Sequence, residues 1–318
     1  RHWPALALIV IIAIAWFAYL PALTGTFLLD DLPTLGDLQN VDDTESALRF
    51  ISSGFAGPLG RPIALASFLP QASAIGVNAE PFLRINILIH LLNGILVFAF
   101  ARRLGRIALR NQQSTPFLPL SVAAMWLFMP LLARSSLLIV QRMTTLSATF
   151  VLGGLIAYLI ARQRLESTPR NALLLMSLAL AGATLLATLT KENGALLPVF
   201  VLVLEASILT PPKSLSKLHW NAWRGIFLAT PAVLILVFLA LQIPYSDETL
   251  AKRDFTLSER LFSEALILWE YLFNAFVGWA GQLGPFHDSH RVYSVSADPW
   301  IIVPAAAWVL ALSVAIRV

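Results

Sequence analysis

Two adjacent carboxylates, Asp30 and Asp31, follow directly on an unbroken apolar run over residues 4–24. Carboxylates at a membrane boundary are costly to hold beside hydrocarbon, so the pair is either a solvated turn or a working site. Other strongly polar groups stand near the ends of later apolar runs. Arg61 precedes Pro62, and Arg84 and His90 lie in the first half of a run over 82–101. Arg134 and Gln141-Arg142 flank one turn between runs, and Lys191-Glu192-Asn193 forms another. Taken singly, an arginine snorkels to the interface and Lys-Glu-Asn is an ordinary polar turn. Taken together, cations beside a carboxylate pair suit a phosphate-bearing lipid and a proton-accepting base. His90 either orients an Asp through its imidazole or is a core histidine.

The elements that must position these groups are membrane spans. The chain is 58% hydrophobic and 13% charged, with mean hydropathy +0.75, which excludes an ordinary soluble globule. Apolar runs of spanning length predict about eight helices, at 4–24, 82–101, 117–133, 143–161, 172–189, 194–210, 225–243 and 300–318. Backbone groups in lipid must bond internally, and no barrel-type alternation recurs. The expected fold is therefore all-α, a single polytopic transmembrane domain over 1–318. The first run is too long for a cleaved signal peptide and lacks its small-residue cleavage pattern. The chain opens on Arg1 and stops inside an apolar run, so further sequence is expected, at the carboxyl end above all. With no cysteine there are no disulfides or thiolate metal sites.

Basic residues set the orientation. Arg102, Arg103, Arg106, Arg110, Arg162, Arg164, Arg170, Lys213, Lys217 and Arg224 fall in loops on one side; with Arg1 and Arg317 they are just over half of the 22 basic residues. Excess Lys and Arg mark the cytoplasmic face. The net charge of +4 and pI near 9.7 thus report topology and not nucleic-acid binding. The acidic loops 25–81 and 244–299 then face outward. In the first, Thr44 to Ser53 reads as a short amphipathic helix and Arg61-Pro62 opens an apolar stretch to Ile75, both suited to the membrane surface. In the second, Thr256-Leu257-Ser258-Glu259 fits a capping box ahead of a bulky apolar helix. Residues 265–283 either cross the membrane, burying Glu270, or lie as an interfacial or re-entrant helix. The polar face of Glu264, Glu270 and Asn274 favours the second.

Several short motifs then line up in order. They are Leu28-Leu29-Asp30-Asp31, Gly60-Arg61-Pro62, Arg84-Ile85-Asn86 leading to His90, Gln141-Arg142-Met143-Thr144-Thr145, Thr190-Lys191-Glu192-Asn193-Gly194 and Gly284-Pro285-Phe286-His287-Asp288. Their order between spans resembles the GT-C superfamily of membrane glycosyltransferases. The resemblance is to bacterial relatives of protein O-mannosyltransferases that carry tetratricopeptide repeats, and to pilin glycosyltransferases. It runs over nearly the whole chain, although no tetratricopeptide repeat is present.

The resemblance implies transfer of one sugar from a polyprenyl-phosphate carrier to an acceptor hydroxyl, such as a protein Ser or Thr of a pilin, or one on a glycolipid. The active site would face the periplasm from a bacterial inner membrane. Asp30 or Asp31 would be the base, with Asp31 preferred, and direct displacement would invert the anomeric centre. Arg142, Lys191 and Arg61, in that order, would meet the lipid phosphate. His90, Glu192, His287 and Asp288 would support the site or contact substrate. His287, Asp288 and His290 have partial metal-ligand character. No metal is required, since Arg and Lys can meet a monophosphate, and a divalent cation is the alternative. Two rival readings are a transporter, which calls for charges near the bilayer midplane, and a noncatalytic membrane scaffold, in which the Asp pair stands apart from the cations.

Overall fold

The computed structural model describes residues 3–108, 116–250, 255–277 and 291–317. Among these residues every regular element is helical. Five helical runs are long and apolar enough to cross a membrane: Trp3–Thr24, Glu80–Ala108, Arg142–Gln163, Pro169–Thr190 and Lys217–Gln242. A sixth is possible if Phe117–Phe128 and Pro130–Leu137 count as one broken span. These helices are compatible with an integral membrane bundle.

In chain order the helices are α1 (Trp3–Tyr19), α2 (Asp31–Leu35), α3 (Thr44–Ser52), α4 (Pro62–Ala66), α5 (Glu80–Ala108), α6 (Phe117–Phe128) and α7 (Pro130–Leu137). They continue as α8 (Arg142–Gln163), α9 (Pro169–Thr190), α10 (Leu197–Ser207), α11 (Lys217–Arg224), α12 (Thr230–Leu250), α13 (Leu257–Val277) and α14 (Ile302–Arg317). Two expected spans are shorter than predicted. The 194–210 run begins as a 3₁₀ turn, Glu192–Leu196, and leaves only 11 residues to α10. Pro198 starts that helix and Pro211-Pro212 follow it, so neither end can extend. The 300–318 run yields the 16 residues of α14 after a short 3₁₀ turn. The 117–133 run breaks at Met129, because Pro130 removes an amide donor and disfavours helix at the residue before it.

The chain divides into two compact units, 1–128 with 135–235, and 129–134 with 236–318. In the first, α8 lies against α9 and α5, α5 also packs on α6, and α1 rests on both α5 and α6. Gly154 permits the close α8–α9 approach: a Cβ there would sit 2.5 Å from the Ala183 methyl and 2.8 Å from Leu197. Polar side chains tie α5 to α8. The Asn93 amide donates to Thr145 O (2.8 Å) and accepts from Thr149 Oγ1 (2.7 Å), the kind of interhelical bond a membrane bundle favours. A second core, around Leu35, Leu38, Phe50, Leu65, Phe68, Phe82 and Ile139, fastens the first loop's short helices onto the start of α5 and the turn before α8.

Those short helices follow local signals. α3 starts where Asp43 accepts from the Ser46 amide (2.7 Å) and Ser46 Oγ accepts from the Asp43 amide (3.0 Å), a reciprocal cap. The apolar stretch from Arg61 to Ile75 becomes α4 and a 3₁₀ turn, Leu69–Ala74, interrupted ahead of Pro70. In the second unit, α13 begins with the expected box, the Thr256 amide donating to Glu259 (2.8 Å). It packs on α14 through the stacked rings of Trp269 and Trp308, 4.3 Å apart.

Candidate active site

The Leu28–Asp31 turn presents its two carboxylates differently. Asp31 is buried, and its carboxylate accepts the backbone N–H groups of Leu28 (2.8 Å) and Val140 (2.8 Å). That second bond ties the first loop to the turn ahead of α8. Burial pushes the Asp31 carboxyl above its ordinary value, against the pull of the backbone donors, and the charge of Asp30 adds to the rise. Asp30 is exposed, and its carboxylate has no protein partner among the described residues. Of the two carboxylates expected to supply a base, the preferred Asp31 has its oxygens bonded to backbone, while those of Asp30 are open. Leu29, between the Leu28 donor and Asp30, has φ of 50°, and Arg61 has φ of 57°. Among the described residues these two alone of the non-glycines have positive φ. Such conformations cost about 1–3 kcal/mol each and persist where surrounding structure enforces them.

Asp30 opens on a cavity of about 240 Å³ whose lining includes Thr34, Phe55, Arg61, Gln141, Met143 and Lys191. Thus the cavity joins the carboxylate to two of the three predicted cations. Lys191 projects from the C-terminal end of α9 and donates to Thr144 Oγ1 (2.6 Å), with Gln141 Oε1 at 3.5 Å. Burial lowers the Lys191 pKa, Arg61 lowers it further, and Glu192 opposes the shift. Arg61 donates from Nε and Nη2 to Glu192, the closest contact being 2.9 Å. Burial alone would raise the Glu192 carboxyl, but this guanidinium holds it below its usual value. Gly57 makes room for the pair. Its φ is +72°, and a Cβ there would fall 1.8 Å from Glu192 Oε1. Arg61 therefore shares its charge with a carboxylate, while the partners of Lys191 are neutral.

Arg142 is placed otherwise than expected. It is fully buried, donating to Asn86 Oδ1 (2.7 Å), Ser67 O (2.8 Å), Gln71 Oε1 (2.8 Å) and Phe82 O (3.0 Å), with its guanidinium 4.1 Å above the Phe68 ring. It joins the first-loop helices to α5 and α8 with its donors committed to protein acceptors, and it does not line the cavity at Asp30. His90 likewise touches no Asp. Its Nε2 lies 3.2 Å from both Tyr19 Oη and Leu127 O, inside the α1–α5–α6 packing. His287 and Asp288, expected to support the site, lie outside the described residues. Among those described, no group of three or more His, Asp or Glu residues is arranged to hold a metal ion.

Sequence reasoning did not assign roles to Thr144 and Gln141, which hold Lys191, or to Thr34 and Phe55, which line the cavity. The Gln141-to-Thr145 motif carried the signal for the first two. No family model, curated protein or solved structure matches the chain.

Proposed function

We propose that the protein is an integral-membrane glycosyltransferase that uses a polyprenyl-phosphate-linked sugar. It moves that single sugar, with inversion, to an acceptor hydroxyl, such as a protein Ser or Thr of a pilin, on the periplasmic face of a bacterial inner membrane. The observation that carries this reading is the Asp30 carboxylate, free of protein partners, sharing one cavity with Lys191 and Arg61. A scaffold that had lost its chemistry has no need to keep these groups together.

In this reading Asp30 takes the proton of the acceptor hydroxyl as its oxygen bonds to the anomeric carbon. The bond from that carbon to the phosphate oxygen breaks, and its electron pair stays with the lipid phosphate. Lys191 meets the growing charge, its neutral partners leaving its own charge undiminished, and Arg61 assists from its pairing with Glu192. Asp31 acts by position, fixing the turn that aims Asp30. Arg142 acts from further below, holding the floor on which both loops rest.

The test is stabilisation of the reconstituted protein by polyprenyl monophosphate. The lipid raises the unfolding temperature of the intact protein more than the corresponding polyprenol does, and Lys191→Ala removes the difference. Equal effects of the phosphate and the alcohol on the intact protein would remove the basis for a phosphate-lipid donor.

A further inference from the structure

The cavity at Asp30 does not end there. Thr34, Phe55 and Met143 also line a neck of about 30 Å³ that reaches Asp37 and Ser53. Asp37 and Ser53 in turn line a further cavity of about 220 Å³, with Asn40 and Arg49. Through these shared lining residues the three spaces make a groove-like row along two helical elements. Asp30, Thr34, Asp37 and Asn40 recur at helical spacing along α2 and the 3₁₀ turn Gly36–Asn40 that follows it. Ser46, Arg49 and Ser53 do so along α3 and its C-cap. Ten residues of helical rise separate Asp30 from Asn40, a length on the order of 15 Å. An extended polypeptide advances ~3.3 Å per residue, so about five residues fit.

We infer that this groove binds an extended acceptor polypeptide, delivering a Ser or Thr hydroxyl to Asp30 and excluding acidic flanking residues; this rests on the function proposed above. Asp37 and Asn40 are exposed and have no protein partner among the described residues, so they can accept and donate to peptide groups along the groove. Asp37 and Asp30 put negative charge on one wall. Asp42, Asp43 and Glu45 surround the start of α3, while Arg49 is the one cation lining the far cavity. A lysine-bearing segment is attracted to this field and a glutamate-bearing one is repelled. Phe55, 75% exposed, stands where the cavity meets the neck and offers a ring to an apolar side chain beside the hydroxyl.

The test uses the full chain in lipid nanodiscs and two short fluorescent peptides of alanine and threonine, one flanked by lysines and one by glutamates. The lysine-flanked peptide is expected to bind about tenfold more tightly by fluorescence polarisation. Asp37→Lys abolishes or reverses that preference, and Asn40→Lys does so independently, both positions being exposed and tolerant of change. Equal binding of the two peptides, or a preference unmoved by both substitutions, overturns the inference. So does full displacement of the peptide by a neutral linear trisaccharide, which would reassign the groove to a glycan. Because no donor lipid is present, these outcomes are read separately from the phosphate-lipid measurement above, so a failure of the peptide reading is distinguishable from a failure of the function on which it rests.

Discussion

The helix α8 carries a buried arginine near each end, and the two are satisfied in opposite ways. Arg162 meets a carboxylate: its Nε donates to Glu205 at 2.8 Å, Tyr158 donates to the same carboxylate at 2.6 Å, and Trp220 lies across the guanidinium at 5.0 Å. Arg142 meets only neutral acceptors, two side-chain amides and two backbone carbonyls. The first end neutralises its own charge and closes under tryptophans. The second keeps a net cation beneath the cavity that also holds Lys191 and the open Asp30. The end whose arginine has no carboxylate partner is also the end next to open space.

The comparison can be broken by substitution. Arg142→Met is expected to have the largest effect, since it takes the donor from four acceptors, the buried Asn86 and Gln71 amides among them, at about 1–3 kcal/mol for each left unsatisfied, and the protein should fail to give a cooperative unfolding transition in detergent. Arg162→Met leaves Glu205 buried without its charge and costs about 3–5 kcal/mol by the same measurement. Adding Glu205→Leu should recover most of that loss, because a buried pair replaced as a pair by apolar groups is close to neutral. No single second change can rescue Arg142→Met, half of whose partners are main chain. If one did, the two ends would not differ in the way described.

Next in size is Lys191→Ala, expected to lower kcat by about 10²–10³ while leaving the fold intact, as removal of a group that meets developing charge does. Gly57→Ala follows, at about 1–2 kcal/mol of stability, because its positive φ disfavours a side chain and its Cβ displaces Glu192 from Arg61. Activity should fall less than in Lys191→Ala, since Lys191 keeps Thr144. The smallest effects are in pH. The Asp31 carboxyl is raised, so it binds its proton more tightly folded than unfolded. Its contribution to stability is full below the ordinary Asp value and is lost as pH rises through the raised one. Asp31→Asn should flatten unfolding temperature across that window. Lys191 is shifted downward, so activity should begin to fall at a lower pH than an unperturbed lysine would dictate.

Much of this was legible in the residues themselves. Run lengths located the long helices, and Thr256-to-Glu259 marked one helix start through capping. Grouping the charged turns brought Asp30, Arg61 and Lys191 to one place. Exposure was not legible, since nothing in Gln141-Arg142 says whether the arginine faces a ligand or the space beneath it. Arg142 turns inward because Phe68 and Gln71 from the first loop and Phe82 and Asn86 from α5 make a cage from two separate segments. Asp30 and Asp31 are chemically the same residue, and what tells them apart is the pair of amides that Asp31 accepts, one from Leu28 and one from Val140, 109 positions away. That Glu205 neutralises Arg162 depends on how α8 and α10 meet.

The most direct measurement is mass spectrometry of exported proteins and lipids from cells carrying the intact protein, Asp30→Asn, Asp31→Asn or none. The account predicts a sugar-sized mass in the intact strain that is absent from the strain without the protein and equally absent with Asp30→Asn. With Asp31→Asn it should be reduced and still present. A full sugar mass with Asp30→Asn, or identical profiles in all four strains, would contradict it.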